Sequence, residues 1–169
     1  LRMSRSAGPP GPRTFAWMIR LMNLWPPYFG AGVRVRRTPT GGYRSRMTLH
    51  WWNRNVLGTH FGGSLYAMCD PFFVLILVQR LGPGVQVWDK SATIRFRRPG
   101  RGRVEATFEV EPERLEEIRQ ALARDGRCEP TFVAEVIDEV GEVVATVEKG
   151  LWIRTIPTTK PSSANVPAG

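Results

Sequence analysis

The sequence predicts an α+β domain in which an antiparallel sheet wraps around one long central helix. Three observations carry this. The stretch Gly62–Leu81 is apolar on nearly every helical face, with Leu65, Met68, Phe72, Phe73, Ile76 and Leu77 spread around it. A helix apolar all round has to be covered on every side, by a curled sheet or by a second subunit. Segments before and after it alternate polar and apolar residues with the period of strands, and turn-forming runs at Thr38–Gly42 and Pro99–Gly102 separate them. At 169 residues the chain suits one domain that can bury a core without staples.

In order along the chain, residues 1–13 read as a flexible arm. Thr14 can cap a short helix to Trp25, which Pro26 and Pro27 stop. Gly32–Arg37 and Tyr43–Trp51 alternate and form a hairpin, and Trp52–His60 is a loop. Gly62 and Gly63 open the long helix, and Gly82-Pro83-Gly84 ends it. Val85–Arg98 and Arg103–Val110 are strands. Pro112 starts an amphipathic helix with Leu115, Ile118 and Leu122 on one face, ended by a turn at Asp125-Gly126. Pro130–Asp138 and Glu142–Thr155 make a final hairpin. The domain thus spans 14–155, and the Pro-, Ser- and Thr-rich tail 156–169 is expected to be disordered.

Composition narrows the function classes. Two cysteines exclude a disulfide scaffold, and two histidines offer no metal-ligand spacing, so no metal or cofactor is expected. The net charge of +9 raises nucleic acid or an anionic ligand. The excess is local: residues 1–54 hold ten arginines and no acid, and Arg95, Arg97, Arg98, Arg101 and Arg103 cluster. From Glu105 onward acids outnumber bases thirteen to seven. The tryptophans sit mostly at apolar positions of predicted elements, which argues against a nucleic-acid face. Ser64–Leu81 is greasy, but Asp70, Pro71, Gln79 and Arg80 make it a poor membrane span. The first fourteen residues have no apolar core of a secretory signal, so a cytoplasmic protein with reduced thiols is expected.

The densest cluster of chemistry runs from Asn55 to Asp70: NVLGTHFGGSLYAMCD. Asp70 follows Gly63 by seven residues. Downstream, Ser91–Gly100 reads SATIRFRRPG. These two segments resemble the hotdog-fold thioesterases of the phenylacetate-pathway type. In that pattern an Asn is followed by a Gly, then by His-Gly-Gly opening a helix, then by the Asp, with Phe-x-Arg-Pro-Gly ending a later strand. The Phe-Gly-Gly-Ser-Leu, Ala-x-x-Asp-Pro and Trp-Asp-Lys-Ser-Ala runs are similar to an uncharacterised branch of that superfamily, a domain of unknown function. The resemblance covers about residues 30–155. It departs at one place: the motif His is Phe61 here, and His60 sits one residue earlier.

The resemblance implies a hotdog fold, association as a dimer or tetramer, and hydrolysis of an acyl-coenzyme A or acyl-carrier-protein thioester. Physical chemistry supports a site in this segment. Glycines at positions 62 and 63 admit close approach, and unpaired N–H groups at a helix start can hold an oxyanion. Asp70, in apolar surroundings, suits a general base or nucleophile. By the resemblance Asn55 orients water or the acyl group, with Phe61 and His60 beside the substrate. Asp89 and Lys90 of a partner chain stand where some relatives place a small hydroxyl. Arg98, Arg101 and Arg103 suit the phosphates of coenzyme A. Three alternatives remain: an acyl-thioester binding protein without catalysis, a hotdog dehydratase using His60, and a nucleic-acid-binding module.

Overall fold

The computed structural model describes residues 17, 19 and 21–156. The arm 1–13 and nearly all of the tail 156–169 lie outside the described residues. Seven antiparallel strands form one sheet: β1 Val33–Arg37, β2 Tyr43–Thr48, β3 Val85–Phe96, β4 Arg103–Phe108, β5 Arg127–Cys128, β6 Thr131–Asp138 and β7 Val143–Thr155. Their order is β1-β2-β4-β6-β7-β3, with β5 also pairing β7. Alternation decides the faces. Val33 and Val35 of β1 and Tyr43, Ser45 and Met47 of β2 turn inward, while the arginines between them turn out. The inward face curls around the apolar segment, as the sequence led one to expect. Phe72 sits at the centre, its ring 4.6 Å from that of Phe108 and 5.5 Å from that of Tyr43. Beside it Phe73 stacks on Phe132 at 4.8 Å.

Four helices lie wholly within the described residues, α1 Pro26–Ala31, α2 Gly62–Ala67, α3 Phe72–Leu81 and α4 Pro112–Asp125, and Trp17, Ile19, Leu21 and Met22 before them are helical. That first helix, partly outside the described residues, is over by Met22, ahead of Pro26 as expected, and Pro26 in addition starts a second one. Proline needs no N–H in a first turn and its φ is already helical, so Pro26 and Pro27 open α1. The turn closes at Gly32, whose φ of 74° suits glycine. The expected helix after it begins on schedule at Gly62, but it is not continuous. Pro71 lacks an N–H, and its ring would clash with the carbonyl four residues back. The chain tightens to three-residue bonds, Cys69 N–H to Tyr66 and Asp70 N–H to Ala67, then restarts at Phe72. Gly62–Leu81 as a whole has the length and hydropathy of a membrane span. In the fold its Leu65, Met68, Phe72, Phe73, Ile76 and Leu77 are buried in the core under the sheet. The strands end somewhat earlier than expected, β2 at Thr48 and β3 at Phe96, and the short β5 has no strand-length pattern to betray it.

Candidate active site

The break between α2 and α3 leaves backbone carbonyls that a continuous helix would have satisfied. Two side chains from elsewhere take them. Ser45 of β2 donates to the Met68 carbonyl at 2.5 Å, and the Tyr28 hydroxyl of α1 donates to the Asp70 carbonyl. Burial, then the nearby charges of Asp70 and Cys69, push the Tyr28 phenol far above its ordinary pKa, so it stays a donor. Asp70 is therefore not two turns along a helix, as expected, but at a clamped non-helical corner. Replacing Tyr28 with Phe strands a half-buried carbonyl; the expected loss is about 1 kcal/mol, read as a lower melting temperature.

From that corner the Asp70 carboxylate reaches the ammonium of Lys149 at 2.5 Å. Lys149 also meets Asp89 Oδ1 at 3.0 Å and the Tyr66 hydroxyl at 3.2 Å. The lysine side chain is only 2% exposed, whereas Asp70 and Asp89 keep 38% and 35%. The cluster is thus a sunken cation with two carboxylates whose outer edges water can reach. Burial pulls the Lys149 pKa down, but hydrogen bonds from Asp70, Asp89 and Tyr66 outweigh it and the net shift is upward. Asp89 is raised, chiefly by burial, with Lys149 opposing and Asp70 reinforcing. Cys69, next to Asp70, is pushed up to about 12 by burial, so its thiol is inert.

The strand geometry explains the convergence. Val147, Lys149, Leu151 and Ile153 occupy successive inward positions of β7. On β3, Val87 and Asp89 point the same way, opposite Ile153 and Leu151. A bulge then intervenes between Asp89 and Ser91. Lys90 is the extra residue, and it turns outward to Glu129 at 2.5 Å. The expected Asp89–Lys90 pair is therefore replaced: Lys149 is the ammonium, and Asp89 joins the Asp70 of its own chain.

Gly62 and Gly63 begin α2 as expected, behind Phe61 at the N-cap. A cavity of about 360 Å³ opens here, lined by Gly62, His60, Leu65, Phe96, Arg98 and others. A Cβ at Gly62 would lie 2.9 Å from the Phe96 ring, so glycine keeps the mouth open. Phe61 is exposed. His60 is buried, with Nε2 bonded to the Gly102 carbonyl at 3.0 Å and Nδ1 unpaired. Burial lowers its pKa, with the Gly102 bond opposing, so the ring favours its neutral form. The Asn55 side chain is held within its own loop: it accepts from the N–H groups of Leu57 and Thr59 and donates to Thr59 Oγ1. It shapes the approach to Gly62 rather than reaching outward for water. The three arginines expected to act together are separated. Arg98 braces Asp138 at 2.9 Å and also pairs with Glu142. Arg103 faces Glu139 and lines a different concavity. Arg101 is exposed.

No curated protein matches the sequence. Among solved structures, a Pseudomonas aeruginosa protein of unknown function, named a probable thioesterase, is similar at 21% identity and a TM-score of 0.69, over 88% of this chain and 98% of that one. A Haemophilus influenzae thioesterase is similar at 12% identity and TM-score 0.59, over 84% of this chain and 94% of that one. The PaaI protein of the Escherichia coli phenylacetic acid degradation operon gives 16% and 0.52, over 82% and 98%. At such identities the likeness establishes the fold alone, which is the hotdog fold. The profile of a family described as a domain of unknown function, DUF4442, matches residues 11–153, and the chain belongs to that family.

Proposed function

We propose that the protein hydrolyses an acyl thioester, carried on coenzyme A or an acyl-carrier protein. One observation carries the reading: the Asp70 carboxylate, fixed by Lys149 at a clamped corner, keeps an edge open to solvent. Asp70 takes a proton from water as the oxygen attacks the thioester carbon. The N–H groups of Gly62 and Gly63 hold the oxyanion. The carbon–sulfur bond then breaks, and the thiolate leaves with the proton, giving an acid and a thiol. Names of structural relatives that include thioesterases are consistent with this chemistry.

Gly62 opens α2 and Asp70 of the same chain lies beyond its other end; the six residues of α2 alone span about 9 Å, too far to address one carbonyl. The reading therefore pairs Gly62 of one subunit with the partner subunit's Asp70. The free edge of the sheet supports such pairing. β3 runs twelve residues, eight of them exposed, with Trp88 and Phe96 uncovered. A long exposed edge strand invites a second copy. Sedimentation is expected to give at least twice the chain mass. Mixed Asp70→Asn and Gly62→Val chains, each inactive alone, should regain about a quarter of parental hydrolysis through hybrid dimers. A monomer in sedimentation, or dimers that never complement, would place the site within one chain. An acyl-coenzyme A panel that the parent binds but never cleaves would leave only the binding role.

A further inference from the structure

The outward face at the β1 end of the sheet is dominated by arginine. Arg34 and Arg36 of β1, Arg44 and Arg46 of β2 and Arg103 of β4 all turn away from the core. Arg34 stands opposite Arg46, and Arg36 opposite Arg44. Like charges directly opposite across strands are destabilising. Among the described residues only two carboxylates answer them, Glu105 at 3.4 Å from Arg44 and Glu139 at 3.8 Å from Arg103. Among the described residues Arg34 donates only to the carbonyl of its neighbour Val33, at 3.3 Å. A concavity of about 430 Å³ opens among Arg34, Arg46, Arg103, His50, Trp52 and Phe29.

The same end carries an exposed apolar ridge. Leu21, Leu24, Trp25 and Phe29 are exposed along it, as are Trp51 and Trp52. Two asparagines hold these segments against the basic face. Asn23 accepts from the Val35 N–H of β1 at 2.7 Å, and Asn53 donates to the Ala31 carbonyl at the end of α1 at 2.9 Å. Nucleic acid would satisfy the arginines but leave Leu21 and Leu24 without a partner. One face of Trp52 is already stacked on His50, ring centroids 4.3 Å apart. A bilayer offers both chemistries at once: phosphates at the headgroups and hydrocarbon just beneath. This end is the far edge from β3, so a dimer through β3 leaves it free.

We propose that this end of the molecule docks on an anionic phospholipid surface. Arg34, Arg46 and Arg103 hold headgroup phosphates in the concavity, and Trp25, Phe29 and Trp51 enter the boundary between headgroups and acyl chains. The test is co-sedimentation of the full chain with vesicles of phosphatidylcholine alone and of equal parts phosphatidylcholine and phosphatidylglycerol. Binding is expected to the mixed vesicles and to weaken with salt. Each arginine removed near the surface should lower partitioning about fivefold, so Arg34→Ala with Arg46→Ala should lower it about 25-fold. That pair relieves like-charge repulsion, so its melting temperature should hold or rise. Trp25→Ser with Phe29→Ser should weaken the part of binding that salt leaves. Hydrolysis of a soluble thioester should be unchanged in the arginine pair, which separates this inference from the proposed reaction. Equal partitioning of parent and arginine variants would overturn it. So would binding of duplex DNA or free phosphate through these arginines with no retention on vesicles.

Discussion

Replacing Lys149 with Met is expected to destabilise the fold and disable the site together. The side chain is almost fully enclosed, and two carboxylates and a phenol are arranged around its ammonium. Removing one partner from a fully buried ion pair costs about 3–5 kcal/mol. Asp70 and Asp89 retain more than a third of their exposure, so water compensates in part and the loss should be nearer 1–3 kcal/mol. The sign of the pH dependence follows from the carboxylates. Asp89 already has a raised pKa, from burial first, and without the ammonium both carboxylates repel each other unscreened. An acid with a raised folded pKa is less costly below its unfolded value and becomes destabilising as pH rises through the folded one. The gap in melting temperature between parent and Lys149→Met should therefore be smallest near pH 4 and widen toward neutrality, on the order of the unperturbed carboxylate range upward. A gap that is constant with pH would mean the lysine acts through packing alone. Thioester hydrolysis should fall in kcat with KM little changed, because Lys149 positions Asp70 and lies below the surface the substrate meets.

The fold was legible because its strands alternate cleanly and its core segment is apolar without a polar stripe. Arg34 and Arg36 between Val33 and Val35 announce which side faces water, and Leu115, Ile118 and Leu122 do the same for α4. Asp70 was legible as an acid in apolar company, and Gly62–Gly63 as a helix entrance. The partner of Asp70 was harder to see, since it lies 79 residues away. A signal for it did exist. The row Val147, Lys149, Leu151, Ile153 places a lysine among inward positions, where a cation needs a carboxylate. Lys90 adjoins Asp89 in sequence, but neighbours in a strand face opposite sides, and the bulge sends this one to Glu129. The break at Pro71 was foreseeable from its missing N–H. What no local pattern shows is that Tyr28 and Ser45 would supply the donors that make the break stable.

Asp70→Asn is expected to lower thioester hydrolysis about 100-fold or more, the scale of losing a general base. The amide keeps the shape and can still accept from Lys149 through its oxygen, so the corner held by Tyr28 should survive. The charge balance also changes. The parent cluster has one ammonium against two carboxylates, and the variant keeps Asp89 as the sole counter-ion, at 3.0 Å. Lys149 therefore remains paired, and the melting temperature should move little in either direction. Affinity for a non-cleavable acyl-coenzyme A analogue should also hold, since the cavity beside Gly62 is untouched. A purely structural role for Asp70 predicts the reverse: a clear loss of melting temperature and unchanged turnover of whatever activity the parent has. Asp89→Asn separates the two carboxylates further. Asp89 meets the same ammonium from β3, but Asp70 alone sits at the clamped corner that continues from α2. If Asp70 is the base, Asp89→Asn should reduce hydrolysis by about tenfold or less, through looser positioning of Lys149. Equal losses in both variants would instead identify the pair, sharing one lysine, as the reacting unit.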